Sequence, residues 1–361
     1  MAGDGVSRYS SNYPGVEFVD LAISREARLK ADFQAAIALY KVCLKLKPDI
    51  VHSIMPKAGA LAAVAAYAAR VPIRMHTFTG QVWDTKNGLA RWAYRLVDKI
   101  IVKLNTSCLT DSASQSEHLF KEGISIEGQP LPVLGKGSLV GVDLERFDPN
   151  RIKRISKVTR RTLGASEDDF IVSFIARKTR DKGAFDMLEG FLAARGLTSN
   201  LKLLFIGPDE SRGELDRLRT ERPALFDAII ERGTVDNHED YLMISDVLCV
   251  PSYREGFGTV VIDAGALAVP AIGSRIKGLV DSIADGESGL LFEKGDTAGM
   301  AQLIRKLAGN RKLAADFGLA SRSRVEKYFS SDIINKQLKE CYFATLRKSR
   351  VDLENNKNND P

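Results

Sequence analysis

The residues best placed to do chemistry in this 361-residue sequence are two carboxylates, Glu255 and Asp263. Between them lie the turn Gly256-Phe257-Gly258 and then Thr259, which opens an apolar stretch. Upstream, Val247-Leu-Cys-Val250 reads as a buried parallel strand that Pro251 and Ser252 stop, and the glycines make a tight turn into a helix starting near Thr259. A helix that opens this way presents unpaired backbone N–H groups and the positive end of its dipole, so a diphosphate can sit there without a dedicated cation. Along the axis the two carboxylates are about 12 Å apart, at ~1.5 Å per residue, which is about the length of a nucleotide-sugar.

Such a site needs an open α/β sheet to hold it, and the chain is built to supply one. In the first half, strand 15–21, helix 32–47, strand 49–53, helix 58–69, strand 73–78, helix 89–97 and strand 99–103 alternate. The pattern breaks into glycines at Gly135–Gly141 and a polar run to Arg161, a domain boundary. It then resumes with strand 170–176, helix 183–194, strand 201–207, helix 212–220 and strands 228–235 and 246–250, and after the Thr259 helix comes strand 271–275. Alternation of this kind means βαβ units and parallel sheets. The expected fold is therefore α/β, two Rossmann-like domains facing across a cleft, with ligands beyond the carboxyl ends of the strands. The first domain covers 1–150 and is completed by a terminal helix 332–347; the second covers 151–331; the Asn/Lys/Asp-rich tail 350–361 reads as disordered.

Composition narrows the class. Hydrophobic residues make up 44% and the formal charge of +6 is spread along the chain, a soluble globular composition that does not point to nucleic acid. Cys43, Cys108, Cys249 and Cys341 have neither metal spacing nor a paired pattern, so free thiols in a reducing, cytoplasmic setting are expected. No run is long enough to cross a bilayer, the Ala-rich stretch 58–69 being the longest. No D-x-D pair sits at a suitable loop, and Glu167-Asp-Asp169 reads as a turn, so no metal is expected.

Glu255-x7-Asp263 with its Gly-Phe-Gly turn resembles the E-x7-E element of the family 4 retaining glycosyltransferases of the GT-B fold, with Asp263 in place of the second Glu. The resemblance runs from about Lys47 to Lys327. Gly141-Val-Asp143 with Arg146-Phe147 is similar to the family's interdomain GVDxxRF signature, and Ala176-Arg-Lys-Thr-Arg-Asp-Lys-Gly183 to its G-R-x4-K-G segment. The resemblance implies a nucleotide-diphosphate sugar donor, most commonly UDP-linked. Arg177 and Lys182 would clamp its diphosphate, Glu255 the sugar hydroxyls and Asp263 the ribose, with Gly256, Phe257, Gly258 and Thr259 around the phosphates. Arg binds phosphate bidentately and Lys as a point charge, so one loop carrying both suits that task. Gly233-Thr-Val235 is similar to the segment whose backbone reads the nucleobase, and Ile206-Gly-Pro208 to a family turn.

His76, in Arg74-Met-His-Thr-Phe-Thr-Gly80, resembles the histidine that contacts the donor sugar from the first domain. His52 and Lys57 stand at another strand end, on the acceptor side. Taken with Asp111-Ser-x-Ser-Gln115 and Leu134-Gly-x-Gly-Ser138, these segments look like the bacterial branch that extends lipid-diphosphate-linked sugars for glycan, capsule or lipopolysaccharide assembly. Trp83 and Trp92 fall together with Lys86, Arg91, Tyr94, Arg95 and Lys99, a mixture suited to docking on an anionic inner membrane. Relative to the family fold the sequence opens late: Met1–Gly5 stands where a second strand would be ending, so a first domain without its opening strand-helix-strand unit is expected. A nucleotide-sugar epimerase, a glycoside hydrolase and a non-catalytic nucleotide-sugar-binding remnant are the competing readings. A hydrolase would set its two carboxylates across one bond and has no need of a diphosphate clamp.

Overall fold

The computed structural model describes residues 13–21, 23, 28–198 and 200–358. The chain divides into two compact units. The first comprises 1–111, 115–133 and 338–361, and the second 112–114 and 134–337.

In the first unit α1 (Leu29–Leu46), β1 (Ile50–Ile54), α2 (Pro56–Ala68), β2 (Ile73–Phe78), α3 (Gly88–Leu104), β3 (Ser107–Thr110) and α4 (Ala113–Lys121) follow one another. The strands form a parallel sheet in the order β1-β2-β3. α2 approaches this sheet closely because its inner face is Gly59, Ala62, Ala63, Ala65 and Ala66. Two expected strands differ. Between Gly15 and Leu21 only Leu21 forms a bridge, and Lys99–Lys103 is helical, the strand following at Ser107. The β-branched run Ile100-Ile-Val102 suggested a strand, but its burial has helical spacing: Asp98 and Ile101 turn inward while Ile100 faces out. Asp98 accepts a hydrogen bond from the Trp83 indole at 2.7 Å, which fixes that face of α3. Arg74 caps the far end, donating through Nε to the Leu104 carbonyl at 2.7 Å.

The second unit runs α5 (Pro149–Ile155), β4 (Phe170–Ile175), α6 (Ala184–Arg195), β5 (Leu201–Ile206), α7 (Glu214–Glu221), β6 (Ile229–Arg232), α8 (His238–Met243), β7 (Val247–Val250), α9 (Thr259–Ala266), β8 (Ala271–Ser274), α10 (Leu279–Ser282), β9 (Gly289–Phe292), α11 (Thr297–Ala308) and α12 (Arg311–Tyr328). Last comes α13 (Ser331–Asn358), which belongs to the first unit from Leu338 and stays helical beyond Arg350, where a disordered tail was expected. Six parallel strands stand in the order β6-β5-β4-β7-β8-β9. Strands covered on both faces must be apolar at every position, and alternation then sorts them into two layers. Phe170, Val172, Phe174, Leu203, Phe205 and Cys249 pack under α6 and α11, whereas Leu248, Val250 and Ala271 pack under α9.

In this strand order β5 and β6 lie on one side of β4, and β7, β8 and β9 on the other. The loops leaving β4 and β7 therefore diverge from adjacent strands, the place where open α/β sheets bind ligands. Gly183 locks those loops together. Its φ is +70°, and a Cβ added there would lie 1.9 Å from the Pro251 carbonyl oxygen. The Tyr253 amide donates to the Asp181 carbonyl at 2.9 Å.

Gly164 has a similar φ of +73° with open space around it, which separates backbone strain from collision. Gly164→Ala is expected to cost about 1 kcal/mol and Gly183→Ala about 3 kcal/mol or more. Urea unfolding of the two variants checks this, and equal losses would show that the loop contact contributes nothing.

Candidate active site

At the carboxyl ends of β4 and β7 the second unit holds a pocket of about 260 Å³. Its walls bring together five of the residues singled out from the sequence, Arg177, Lys182, Glu255, Gly258 and Thr259, together with Ser252 and Val260. Lys182 and Glu255 are far apart in sequence, yet Lys182 Nζ is 2.6 Å from Glu255 Oε1 because β4 and β7 are neighbours. Ser252, almost fully buried, donates its hydroxyl to the same oxygen at 2.7 Å. Glu255 is thereby held by one of its two oxygens.

The cationic side of the pocket is tensioned by carboxylates. Arg177 meets Glu210 at 2.7 Å and Asp181 at 3.6 Å, and Arg254 also lies 3.6 Å from Asp181. Burial alone would raise the Asp181 carboxyl, but the Thr179 hydroxyl and the charges of Arg177, Arg254 and Lys182 outweigh it and hold the group below its ordinary range. Both Arg177 and Lys182 remain partly exposed, so an incoming anion can exchange with these carboxylates for their charge. Opposite them α9 begins. Gly258 precedes it with φ +82° and, being glycine, brings no side-chain cap to its first amides. Its Cβ position lies 2.6 Å from Leu279 Cδ2, so a larger residue would push the turn out of place. Two cations, a carboxylate and an open helix N-terminus thus converge on one volume, an arrangement able to hold a diphosphate and a polyhydroxyl group side by side.

Other sequence candidates lie elsewhere. Asp263 is not in the pocket wall; its Oδ2 is 3.1 Å from His238 Nε2. Burial raises its carboxyl above the usual range, with His238 and Arg146 pulling the other way. Arg146, from the Gly-Val-Asp signature, forks onto Glu239 at 2.9 and 2.7 Å, so the signature ties 141–147 to α8 beside Asp263. Phe257 turns its ring into the core, 5.2 Å from Phe329, and leaves only its backbone to the turn. The Gly256 carbonyl packs against Gly278, and Val235 packs near Tyr241.

His76 belongs to the first unit and has no exposed surface. Its ring fills the gap left by Gly59, and its Nδ1 is 2.9 Å from Ser53 Oγ. Burial, then the neighbouring His52, pushes it down to about 3, so the imidazole is neutral. A contact with the donor sugar was expected of it; within the first unit its ring packs against Gly59 of α2, and its Nε2 is buried with no hydrogen-bond partner among the described residues. His52 bridges Tyr342 at 2.6 Å and Thr77 at 2.8 Å.

Sequence reasoning missed three members. Ser252 precedes Glu255 in a Pro-Ser pair that read only as a strand stop. Lys178 sits next to Arg177 yet is buried, its Nζ 2.7 Å from Glu231 and 5.0 Å from the Phe205 ring centre, and it anchors the loop to β6. His238 carries no local signal, since only the folded chain brings it to Asp263. Among the described residues no group of three or more His, Cys, Asp or Glu side chains could hold a metal ion.

Comparison with known proteins gives this geometry a family. Residues 156–324 match the model described as glycosyl transferases group 1, and residues 2–128 the glycosyl transferase 4-like domain. A capsular polysaccharide biosynthesis glycosyltransferase of Staphylococcus aureus is 30% identical over 333 residues, spanning 91% of this chain and 85% of the relative. The chain belongs to the family 4 glycosyltransferases. An Escherichia coli galactosyltransferase named for a GlcNAc-diphosphoundecaprenol substrate is 24% identical over 81% of this chain and 74% of its own. Among solved structures, sucrose-phosphate synthase of Thermosynechococcus elongatus matches with a TM-score of 0.75 at 24% identity, over 91% of this chain and 81% of that one. Anabaena HepE in complex with UDP-glucose matches at 0.75 and 16%, over 94% and 88%. These likenesses give the glycosyltransferase its fold, GT-B, with two Rossmann-like domains.

Ser252 tests the geometry of this glycosyltransferase directly. Ser252→Ala is expected to leave the melting temperature within a few degrees and to lower kcat/KM for the donor about tenfold or more, the value of one hydrogen bond to a charged group at ~1.5 kcal/mol or above. Steady-state transfer kinetics check it, and an unchanged kcat/KM would remove Ser252 from the site.

Proposed function

We propose that this glycosyltransferase moves a sugar, with retention, from a UDP-sugar to a hydroxyl of a lipid-diphosphate-linked glycan. The observation that carries the reading is the meeting of Arg177, Lys182 and Glu255 with the open start of α9 at the β4/β7 switch point. Arg177, Lys182 and the α9 amides take the charge of the departing diphosphate, which is the main electrostatic demand of the reaction and requires no bound metal. Glu255, oriented by Ser252 and Lys182, accepts hydrogen bonds from the sugar hydroxyls and holds the anomeric carbon for attack on the face from which the diphosphate departs. Asp263, drawn back by His238, contributes to the ribose end of the donor, and Val235 lies on the side of the nucleobase. His76 acts by fixing β2 against α2.

The choice of nucleotide is supported by the UDP-glucose complex of the HepE neighbour, and the choice of acceptor by the names of the Escherichia coli and Staphylococcus aureus relatives. Such an acceptor sets the enzyme to work at the cytoplasmic face of the inner membrane. Among the described residues no helix is long and apolar enough to cross a membrane.

Incubation with a panel of UDP-sugars and a polyprenyl-diphosphate-linked sugar is the test. Glu255→Ala and Lys182→Ala are each expected to lower kcat at least about 100-fold, as loss of a charged partner in a dry site does, while the protein remains folded. Near wild-type rates in either variant would sink the assignment. So would turnover of UDP-sugar at the same rate without an acceptor, which is the signature of an epimerase or hydrolase.

A further inference from the structure

The segment Leu134-Gly-x-Gly-Ser138 lies outside the walls of the donor pocket, although it belongs to the same unit. From Leu134 to Gly141 the chain has positive φ at Gly135 (+56°), Gly137 (+111°), Ser138 (+78°) and Gly141 (+68°). This loop is clamped along the junction of α12 and α13. The Val142 amide donates to the Phe329 carbonyl at 2.8 Å, the Ser331 amide donates to the Val142 carbonyl at 2.8 Å, and a Cβ added at Gly141 would lie 2.7 Å from the Phe329 oxygen. At the other end, a Cβ added at Gly135 would lie 2.6 Å from Gln337 Oε1, a buried oxygen with no hydrogen-bond partner among the described residues.

The clamp carries Lys136 to the last turn of α12, where Lys327 and Tyr328 stand. Lys327 Nζ lies 5.1 Å from the Tyr328 ring centre. A hydrogen bond with Lys327, together with the charges of Lys327, Lys136 and Arg324, outweighs burial and holds the Tyr328 phenol below its ordinary range. Arg324 is committed elsewhere, donating to the carbonyls of Asp281 and Ser282 at 2.6 and 2.7 Å, with the Asp281 and Glu287 carboxylates nearby. Lys136 and Lys327 are exposed, and no carboxylate pairs with either among the described residues.

We propose that this loop and the end of α12 form a second anion site, in which Lys136 and Lys327 hold the diphosphate of the lipid-linked acceptor. The choice of ligand rests on the acceptor reading given above, while the site itself rests on the loop and the two lysines. Residues of positive φ curl a backbone so that amides turn to one side, and such concavities take oxyanions. A lysine in the last turn of a helix also complements the helix dipole, which accounts for Lys327 without a ligand. It does not account for Lys136, which the loop brings up against two other cations. Like charges so placed repel, and an anion between them removes that cost. The position also fits. Phe329, next to Tyr328, packs on Phe257 at 5.2 Å, and Phe257 belongs to the turn that leads from Glu255 into α9. In the shortest acceptor of this class the diphosphate follows the sugar that bears the attacking hydroxyl, so it has to be held a short way from the donor pocket by groups that stay out of the transfer.

The experiment uses the full chain with UDP at saturation, so that the donor pocket is filled, and titrates inorganic pyrophosphate into the wild type and the double variant Lys136→Gln, Lys327→Gln. By calorimetry the wild type should bind a further pyrophosphate, and the double variant should bind it about tenfold more weakly or worse, with melting temperature and UDP affinity unchanged. Transfer kinetics supply a second arm. They compare a polyprenyl-diphosphate-linked sugar with the same sugar on a neutral alkyl chain, and in the double variant the ratio of the two KM values should move about tenfold or more against the diphosphate acceptor. Pyrophosphate that fails to bind beside UDP, or that binds both proteins alike, would overturn the site. Pyrophosphate binding with an unaltered KM ratio would mark a site for a free anion and overturn its assignment to the acceptor. Absence of transfer to every lipid-linked sugar in the wild type would instead overturn the acceptor reading of the enzyme, and the titration would still decide whether the anion site exists.

Discussion

Everything in the second unit depends on β4 and β7 lying side by side while their loops leave in different directions. That adjacency places the Lys182 ammonium on the Glu255 carboxylate at 2.6 Å, although the two residues belong to different βα segments. It is enforced by backbone rather than by charge. Gly183 touches the Pro251 carbonyl as only glycine can, and the Tyr253 amide closes on the Asp181 carbonyl. The ion pair is therefore positioned by the sheet and does not have to hold the sheet together. An ion pair in that situation can open for a ligand at little structural cost, because the loops stay where the glycine contact puts them.

The pocket's charge follows the same logic. Arg177, Lys182 and Arg254 are each near a carboxylate, and Asp181 is shared between two of them. A site with bare cations would be strained by their repulsion. Here the carboxylates hold the guanidinium and ammonium groups in place, and a diphosphate that enters takes over that role with more charge and better geometry. Arg146 and Glu239, by contrast, make a two-point contact that fixes one segment to another. Similar residue types thus serve binding in one place and architecture in another: Arg146 grips both oxygens of one carboxylate, whereas Lys182 meets a single oxygen of Glu255.

What could be read from the sequence follows from how local each feature is. The Gly256-Phe-Gly258 turn, the α9 start and the Arg177/Lys182 loop are contiguous motifs, and the alternation of β4 to β9 with their helices is a pattern of short range. Ser252, Lys178 and His238 acquire their roles from partners brought in by the sheet, and nothing beside them in the chain announces those partners. Lys99–Lys103 misleads because β-branched residues suit a strand, and only the Trp83–Asp98 hydrogen bond shows which face of a helix is inside. For His76 the sequence shows a place near a strand end but not the surroundings: Gly59 across from it makes room for the ring within the packing, where burial keeps it neutral. Trp83 likewise could not be told from Trp92 until the fold buried one and exposed the other.

The central claim is that one loop's two cations recognise a diphosphate in this pocket. Calorimetric titration of UDP and of uridine into the wild type and into the double variant Arg177→Ala, Lys182→Ala tests it most directly. Each charge-assisted contact is worth ~1.5 kcal/mol or more, and every 1.4 kcal/mol is about tenfold in affinity. The wild type should prefer UDP over uridine by about 100-fold, and the double variant should retain less than about a tenth of that preference with uridine binding unchanged. A preference for UDP that survives the loss of both side chains would place the diphosphate elsewhere and contradict the account.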